Sequence, residues 1–174
     1  MGYTTYDYKT IFATKDNKYR VLDMVGAFGY EVIETKEIGN NITINIKRDS
    51  ALSCKEELNK KFDEAYKLIR DASNATSKIK NKATMISITN GIIGLLTFGG
   101  GMSCVMTGDK TIKYMIPGIL LGIVGILIMI LNDSLYKKLY SHGYSKYNPI
   151  VDTNNQKINE ILKEANELLK KSLE

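Results

Sequence analysis

Two stretches of this chain carry no charge: no Asp, Glu, Lys or Arg lies between Lys82 and Asp109, or between Lys113 and Asp133. A bilayer hydrocarbon core about 30 Å thick is crossed by roughly 20 helical residues, and a charge near its centre costs several kcal/mol. Residues 85–106 and 114–131 satisfy both conditions. Residues 116–131 have no polar face at all, whereas the first stretch is softened by Thr84, Ser87, Thr89, Asn90, Thr97 and Ser103. The pattern predicts two transmembrane helices joined as an antiparallel hairpin, with one side of the first helix facing protein or water.

Other periods occupy the rest of the chain. Residues 6–12 alternate and are rich in β-formers, and residues 18–28 set Leu22, Val25 and Phe28 on one helical face ahead of a stop at Gly29. Residues 30–35 and 42–46 read as strands joined by a turn at Gly39, Asn40 and Asn41. The resulting strand-helix-strand-strand (βαββ) unit is small enough to need a partner or its own helices to cover it.

A capping box, Ser53-Cys54-Lys55-Glu56, predicts the start of a long helix. From it Leu58, Phe62, Ala65, Ile69, Ala72, Thr76 and Ile79 recur at alternating spacings of four and three, the seam of a coiled coil or helical pair. With no proline before the first span, this stalk helix is expected to continue into the bilayer. Beyond the second span, Tyr136, Tyr140 and Tyr144 with Lys137 and Lys138, and Lys78, Lys80 and Lys82 before the first span, suit a membrane interface. Gly143 and Pro149 are expected to break the helix there. A second capping box at Thr153 then opens an amphipathic helix bearing Ile158, Ile161, Leu162, Ala165, Leu168 and Leu169, whose apolar face would pack on the stalk seam.

The N-terminal unit opens with Tyr6-Asp7-Tyr8-Lys9, begins its second strand with Gly29-Tyr30-Glu31 and closes on Lys47-Arg48. In these motifs residues 6–48 resemble a small bacterial strand-helix-strand-strand domain family of unassigned function, with Tyr30 where Trp is more usual. The resemblance covers about a quarter of the chain and implies a fold; the family brings no catalytic residues.

The fold class expected is therefore a mainly α membrane protein: a two-helix transmembrane hairpin, a cytoplasmic helical stalk and a small α+β module. The parts are residues 1–50 (module), 51–83 (stalk), 84–107 (first span), 108–113 (external loop), 114–132 (second span), 133–149 (Tyr/Lys-rich interfacial segment) and 150–174 (amphipathic helix). The N-terminus is polar and lacks the apolar core of a secretory signal, and Tyr6 stands where a myristoylation motif needs Ser or Thr. Basic residues are denser beside the terminal ends of the spans than in the loop, where only Lys110 and Lys113 lie. Both termini are thus expected in the cytoplasm of a multi-pass cell-membrane protein.

Composition adds little beyond this. A formal charge of +5 and a mean hydropathy of −0.17 resemble a soluble protein, yet the positive excess lies beside the spans, where anionic headgroups rather than nucleic acid attract it. Cys54 and Cys104 fall too far apart along the hairpin to bridge, so two free thiols are expected.

The pattern with most chemical content is in the first span: Ser87, Asn90, Gly94, Thr97, Gly101, Cys104 and Gly108 recur at three and four, and the second span adds Gly118, Gly122 and Gly125. Such stripes let backbones approach closely and hydroxyl or amide groups bond across an interface. The same stripe could line a pore, with Asn90 and Thr97 offering oxygens and Asp109 forming a ring at its mouth. Against a pore stands the lack of any intramembrane charge. Signals of catalysis are missing: His142 has no ligand partners at metal spacing, Gly99-Gly100-Gly101 lies inside a span, and no Ser or Cys has a visible base. No enzyme activity, cofactor or metal is expected. The first expectation is a non-enzymatic, self-associating bacterial inner-membrane protein that presents its module to a protein partner as scaffold or regulatory subunit. The alternative is a small oligomeric channel or holin-like pore lined by the first span.

Overall fold

The computed structural model describes residues 5–52, 54–107 and 112–173. The elements are β1 (Tyr6–Thr14), α1 (Lys18–Ala27), β2 (Glu31–Ile38), β3 (Asn41–Asp49), α2 (Lys55–Thr107) and α3 (Ile112–Leu173). They divide into two compact units, one comprising Met1–Ala75 and Pro149–Glu174 and the other Thr76–Asn148. The Ser53 capping box and the loop residues Gly108, Asp109 and Lys110 lie outside the described residues.

In the first unit the sheet order is β1-β3-β2 with both pairings antiparallel. Two glycines with positive φ set its corners. Gly39 (φ 63°) turns β2 into β3 through a two-residue connection, Ile38 pairing with Asn41. Gly29 (φ 72°) ends α1 in a Schellman motif: the Tyr30 amide donates to the Val25 carbonyl at 3.1 Å and the Gly29 amide to the Gly26 carbonyl at 3.0 Å. The period of two in β3 buries Ile42, Ile44, Ile46 and Arg48 on one face. Ile11 and Ala13 extend this face on β1; Val21, Met24, Val25 and Phe28 cover it from α1 and its end.

The seam of α2 closes that core. Leu58, Phe62, Ala65 and Ile69 are buried in the same cluster as the sheet isoleucines, and Ile158, Ile161 and Ala165 of α3 complete it. Phe62 meets Phe28 edge-on at 5.4 Å and Tyr30 at 5.1 Å between ring centroids. The Tyr66 hydroxyl accepts from the Phe12 amide (3.1 Å) and donates to the Phe12 carbonyl (2.9 Å), occupying outward-pointing groups of edge strand β1. This half of the seam shares the core of the N-terminal unit, whose sheet alone would leave its apolar face uncovered. The seam also departs from a strict heptad. Thr76 is exposed and Ala75 is buried, so the buried row runs Ala72, Ala75, Ile79, Ala83. The exchange is confined to this one position, because Ile79 and Ala83 fall again on the spacing of three and four counted from Ala72.

A further correction concerns α3. The break expected at Gly143 and Pro149 and the cap expected at Thr153 are absent, since one helix runs through all three. Pro149 removes one amide donor and crowds the preceding turn, at about 3 kcal/mol. Stopping and restarting would instead strand up to four carbonyls and four amides. The Thr153 hydroxyl donates back to the Pro149 carbonyl at 2.8 Å, a bond within the helix rather than a cap.

α2 and α3 each contain an apolar window long enough to cross a membrane, of mean hydropathy 1.4 and 2.4, and only 11% of each window is buried by the rest of the chain.

Candidate functional site

The second unit is built on glycine. A Cβ added to Gly101 would stand 2.6 Å from the Gly118 carbonyl oxygen and 2.6 Å from the Gly122 amide nitrogen; one added to Gly125 would stand 2.6 Å from the Phe98 amide nitrogen. Gly118 would clash with Val105 at 2.7 Å and with the Gly101 carbonyl oxygen at 2.8 Å, and Gly94 with Met129 at 2.9 Å. Each pair joins a rising number on α2 to a falling one on α3, so the helices run antiparallel with backbones in contact. The side chains that would normally separate two helices are missing from both faces.

This places most of the predicted stripe. Gly94 and Gly101 lie inside the hairpin against α3, and the Cys104 Cβ borders Gly118. The Ser87 carbonyl accepts from Asn132 Nδ2 at 3.0 Å. The Thr97 hydroxyl donates to the Ile93 carbonyl one turn back, at 2.8 Å. Asn90 lies to one side, lining an open groove with Asn132. Gly108 is outside the described residues. Of the second-span glycines, Gly118 and Gly125 are tightly enclosed, whereas a Cβ on Gly122 would meet only Phe98, at 4.0 Å. Gly143 has a similar role farther along: a Cβ there would lie 3.6 Å from Ile79, ordinary contact at a close helix approach. Cys104 is exposed and unbridged, as is the half-buried Cys54, whose thiol donates to the Leu168 carbonyl at 3.6 Å.

The large apolar side chains of the hairpin point outward. Ile88, Ile92, Leu95, Leu96, Leu120 and Leu127 are all more than half exposed. Beyond them the predicted interface residues gather. Tyr136 stacks on Tyr140 with centroids 6.1 Å apart, Tyr144 is exposed, and Lys146 lies over the Tyr147 ring at 5.5 Å. Lys137 bonds Asp133 at 2.7 Å, and that hydrogen bond raises the Lys137 pKa. Lys78, Lys80, Lys82 and Lys138 are exposed.

The first unit holds a buried polar cluster that the sequence reading missed. Arg48 is 2% exposed. Its guanidinium donates to Asn59 Oδ1 at 2.7 Å and to the Phe28 carbonyl at 3.4 Å, and lies 4.3 Å above the Tyr30 ring, while its Nε has no partner among the described residues. The Tyr30 hydroxyl shares Asn59 Oδ1 at 3.1 Å, and burial, opposed by Arg48, raises the Tyr30 pKa. The signal was available: the alternation of Ile42, Ile44 and Ile46 puts Arg48 on the core face. This cluster fixes the strand end against α2. Among the described residues there is no group of three or more His, Cys, Asp or Glu able to hold a metal.

The outer face of the sheet is open, with Tyr8 and Phe12 68% and 64% exposed, and β2 is exposed along its whole length. Its register slips at Ile33, and Glu31, Glu34, Lys36 and Glu37 charge that edge, features that discourage unspecific strand pairing. No protein-family model, curated protein or solved structure matches the chain.

Proposed function

We propose that this chain is a two-span membrane protein of non-enzymatic role, whose hairpin anchors the N-terminal unit in the cytoplasm as a scaffold or regulatory subunit. The observation that carries it is the inside-out second unit: glycines fill the helix interface, and the large aliphatic side chains face away from protein. A soluble pair of helices would bury the second set. Its windows are only 11% buried, an arrangement for which hydrocarbon is the fitting surroundings.

Orientation follows from two further supports. Residues before and after the hairpin fold into one core, with Leu58 and Phe62 alongside Ile158 and Ala165, which requires both in one compartment. Lysine at the terminal ends of the spans favours the cytoplasm for that compartment. The exposed sheet face is the surface offered to a protein partner. Because Gly94 and Gly101 are engaged within one hairpin, anchoring needs no second copy.

The pore reading asks Asn90 and Thr97 to face a water-filled axis. The Thr97 hydroxyl satisfied on its own helix and the glycines turned toward α3 favour the anchor. The deciding experiment is extraction and topology. The full chain should remain with membranes after alkaline washing and require detergent. Tags at both ends should be shielded in intact cells, while a Lys110→Cys thiol should react with an impermeant reagent from outside. A chain soluble without detergent, or an externally reachable tag, overturns the proposal. Stepwise conductance in planar bilayers would establish the pore instead.

A further inference from the structure

Two open depressions on the flank of the hairpin share Leu135 and Lys138 and so form one groove, of about 510 Å³ in one part and about 580 Å³ in the other. One end is walled by Ile93, Ile128 and Leu131, with the amides of Asn90 and Asn132 in its lining; the other carries Lys138, Ser141, His142 and Ser145. Asn132 Nδ2 donates one of its two hydrogens to the Ser87 carbonyl; the second, with the amide of Asn90, is the type of donor that ester oxygens accept from. The groove thus grades from aliphatic, through amide, to cationic and hydroxylated. That is the order of an acyl chain, an ester-linked glycerol and a phosphate.

The charge around it selects the occupant. Residues 76–82 and 133–148 contain six lysines, His142 and a single carboxylate, Asp133, and Asp133 is engaged by Lys137. A second small cleft of about 80 Å³ beside the groove adds Lys78, Lys82 and Lys146 around the same His142. A second copy of this chain would bring the same positive field to the same flank and be repelled. An anionic headgroup would be attracted.

We infer that this groove binds one anionic phospholipid, its phosphate held by Lys138 and His142, its ester region by Asn90 and Asn132, and a chain along Ile93 and Ile128. The inference rests on the membrane reading above, and its test separates the two. The full chain in neutral detergent is titrated with phosphatidylglycerol, phosphatidylcholine or inorganic phosphate, and bound lipid is counted by native mass spectrometry. A single saturable phosphatidylglycerol adduct is expected, with phosphatidylcholine weaker and phosphate unable to displace it. Lys138→Gln should weaken the adduct about fivefold, the loss expected for one lysine near a headgroup. Lys80→Gln removes the same charge outside the groove and should leave the adduct intact. Asn132→Leu should weaken it with no change of charge.

Equal losses for Lys138→Gln and Lys80→Gln would reduce the effect to general attraction and overturn the site. Displacement by inorganic phosphate, or a dimer that excludes lipid, overturns it equally. A chain that needs no detergent fails the membrane reading before any lipid is added.

Discussion

The two units solve helix packing in opposite ways. In the first, large side chains of both helices point inward: Leu58, Phe62 and Ile69 share one buried cluster with Ile158 and the sheet. In the second, the same two helices touch through Gly101, Gly118 and Gly125, and their isoleucines and leucines face outward. Water accounts for the first arrangement, because removing apolar area from it supplies about 25 cal/mol per Å². In the membrane proposed for the second unit that gain would vanish, and close backbone contact with its dispersion energy would take over. One helix can therefore carry two packing rules along its length, each chosen by the surroundings of that stretch.

The contrast can be broken most severely at Phe62. Phe62→Ala removes the ring that meets both Phe28 and Tyr30 in a site with 1% exposure, and should cost about 3–5 kcal/mol. Proteolysis of the full chain in detergent should then clip the first unit while leaving the hairpin protected. Equal loss of protection in both units would mean they do not follow separate rules.

Next comes Gly101→Leu, expected to cost about 3 kcal/mol by forcing apart helices whose backbones touch. Gly122→Ala should be nearly silent, because its Cβ would find open space up to Phe98 at 4.0 Å. Cysteine cross-linking between Gly91 and Asn132 positions reads the result: coupling lost with the first variant and kept with the second. Were both variants equally harmful, glycine would matter for helix bending and not for contact.

A smaller effect is expected at the buried cation. Asn59→Leu strips Arg48 of its 2.7 Å acceptor and leaves a buried charge poorly satisfied, at about 2 kcal/mol. Arg48→Met removes the charge itself and should cost less than Asn59→Leu, since well-packed apolar replacements of buried ionic groups are often neutral. Denaturation midpoints of the two variants give the order, and the reverse order would assign Arg48 a role beyond the packing of its strand end.

These outcomes also bear on what the sequence made legible. The strands, the Gly29 stop and the Gly39 turn follow from local rules, periodicity and positive φ, and the elements lie within a few residues of expectation. The uncharged stretches were equally plain, because absence of charge is a long-range signal that needs no partner. Pro149 was misleading: a breaker in isolation, it sits inside a helix whose interruption would strand more hydrogen bonds than it removes. At Thr76 the expected seam differs by one place, since Ala75 is buried instead and Ile79 resumes the row. Asn132 went unnoticed at the end of sixteen apolar residues, since its bond to Ser87 depends on how the two helices are aligned. Arg48 was read as a charged strand end, although its parity with Ile46 already placed it inward.

The smallest expected effect gives the water-exposed baseline against which the lysines of the hairpin base can be judged. Lys18 bonds Glu37 across the open surface of the first unit. That hydrogen bond, with the accompanying charge attraction, lowers the Glu37 pKa and raises that of Lys18. The Glu37 contribution is present above the ordinary carboxylate value and is lost as pH falls through the lowered one. The Lys18 contribution is present below the ordinary lysine value and lost as pH rises through the raised one. Both operate at neutral pH, yet the side chains keep 29% and 44% of their surface open to water, where screening leaves little of a surface pair. Glu37→Gln should therefore melt marginally below the parent chain at neutral pH and coincide with it in acid, once the parent carboxylate is protonated. A gap that persists in acid would show that Glu37 acts through packing at the β2 edge, and charge would then matter even less in this unit than at the base of the hairpin.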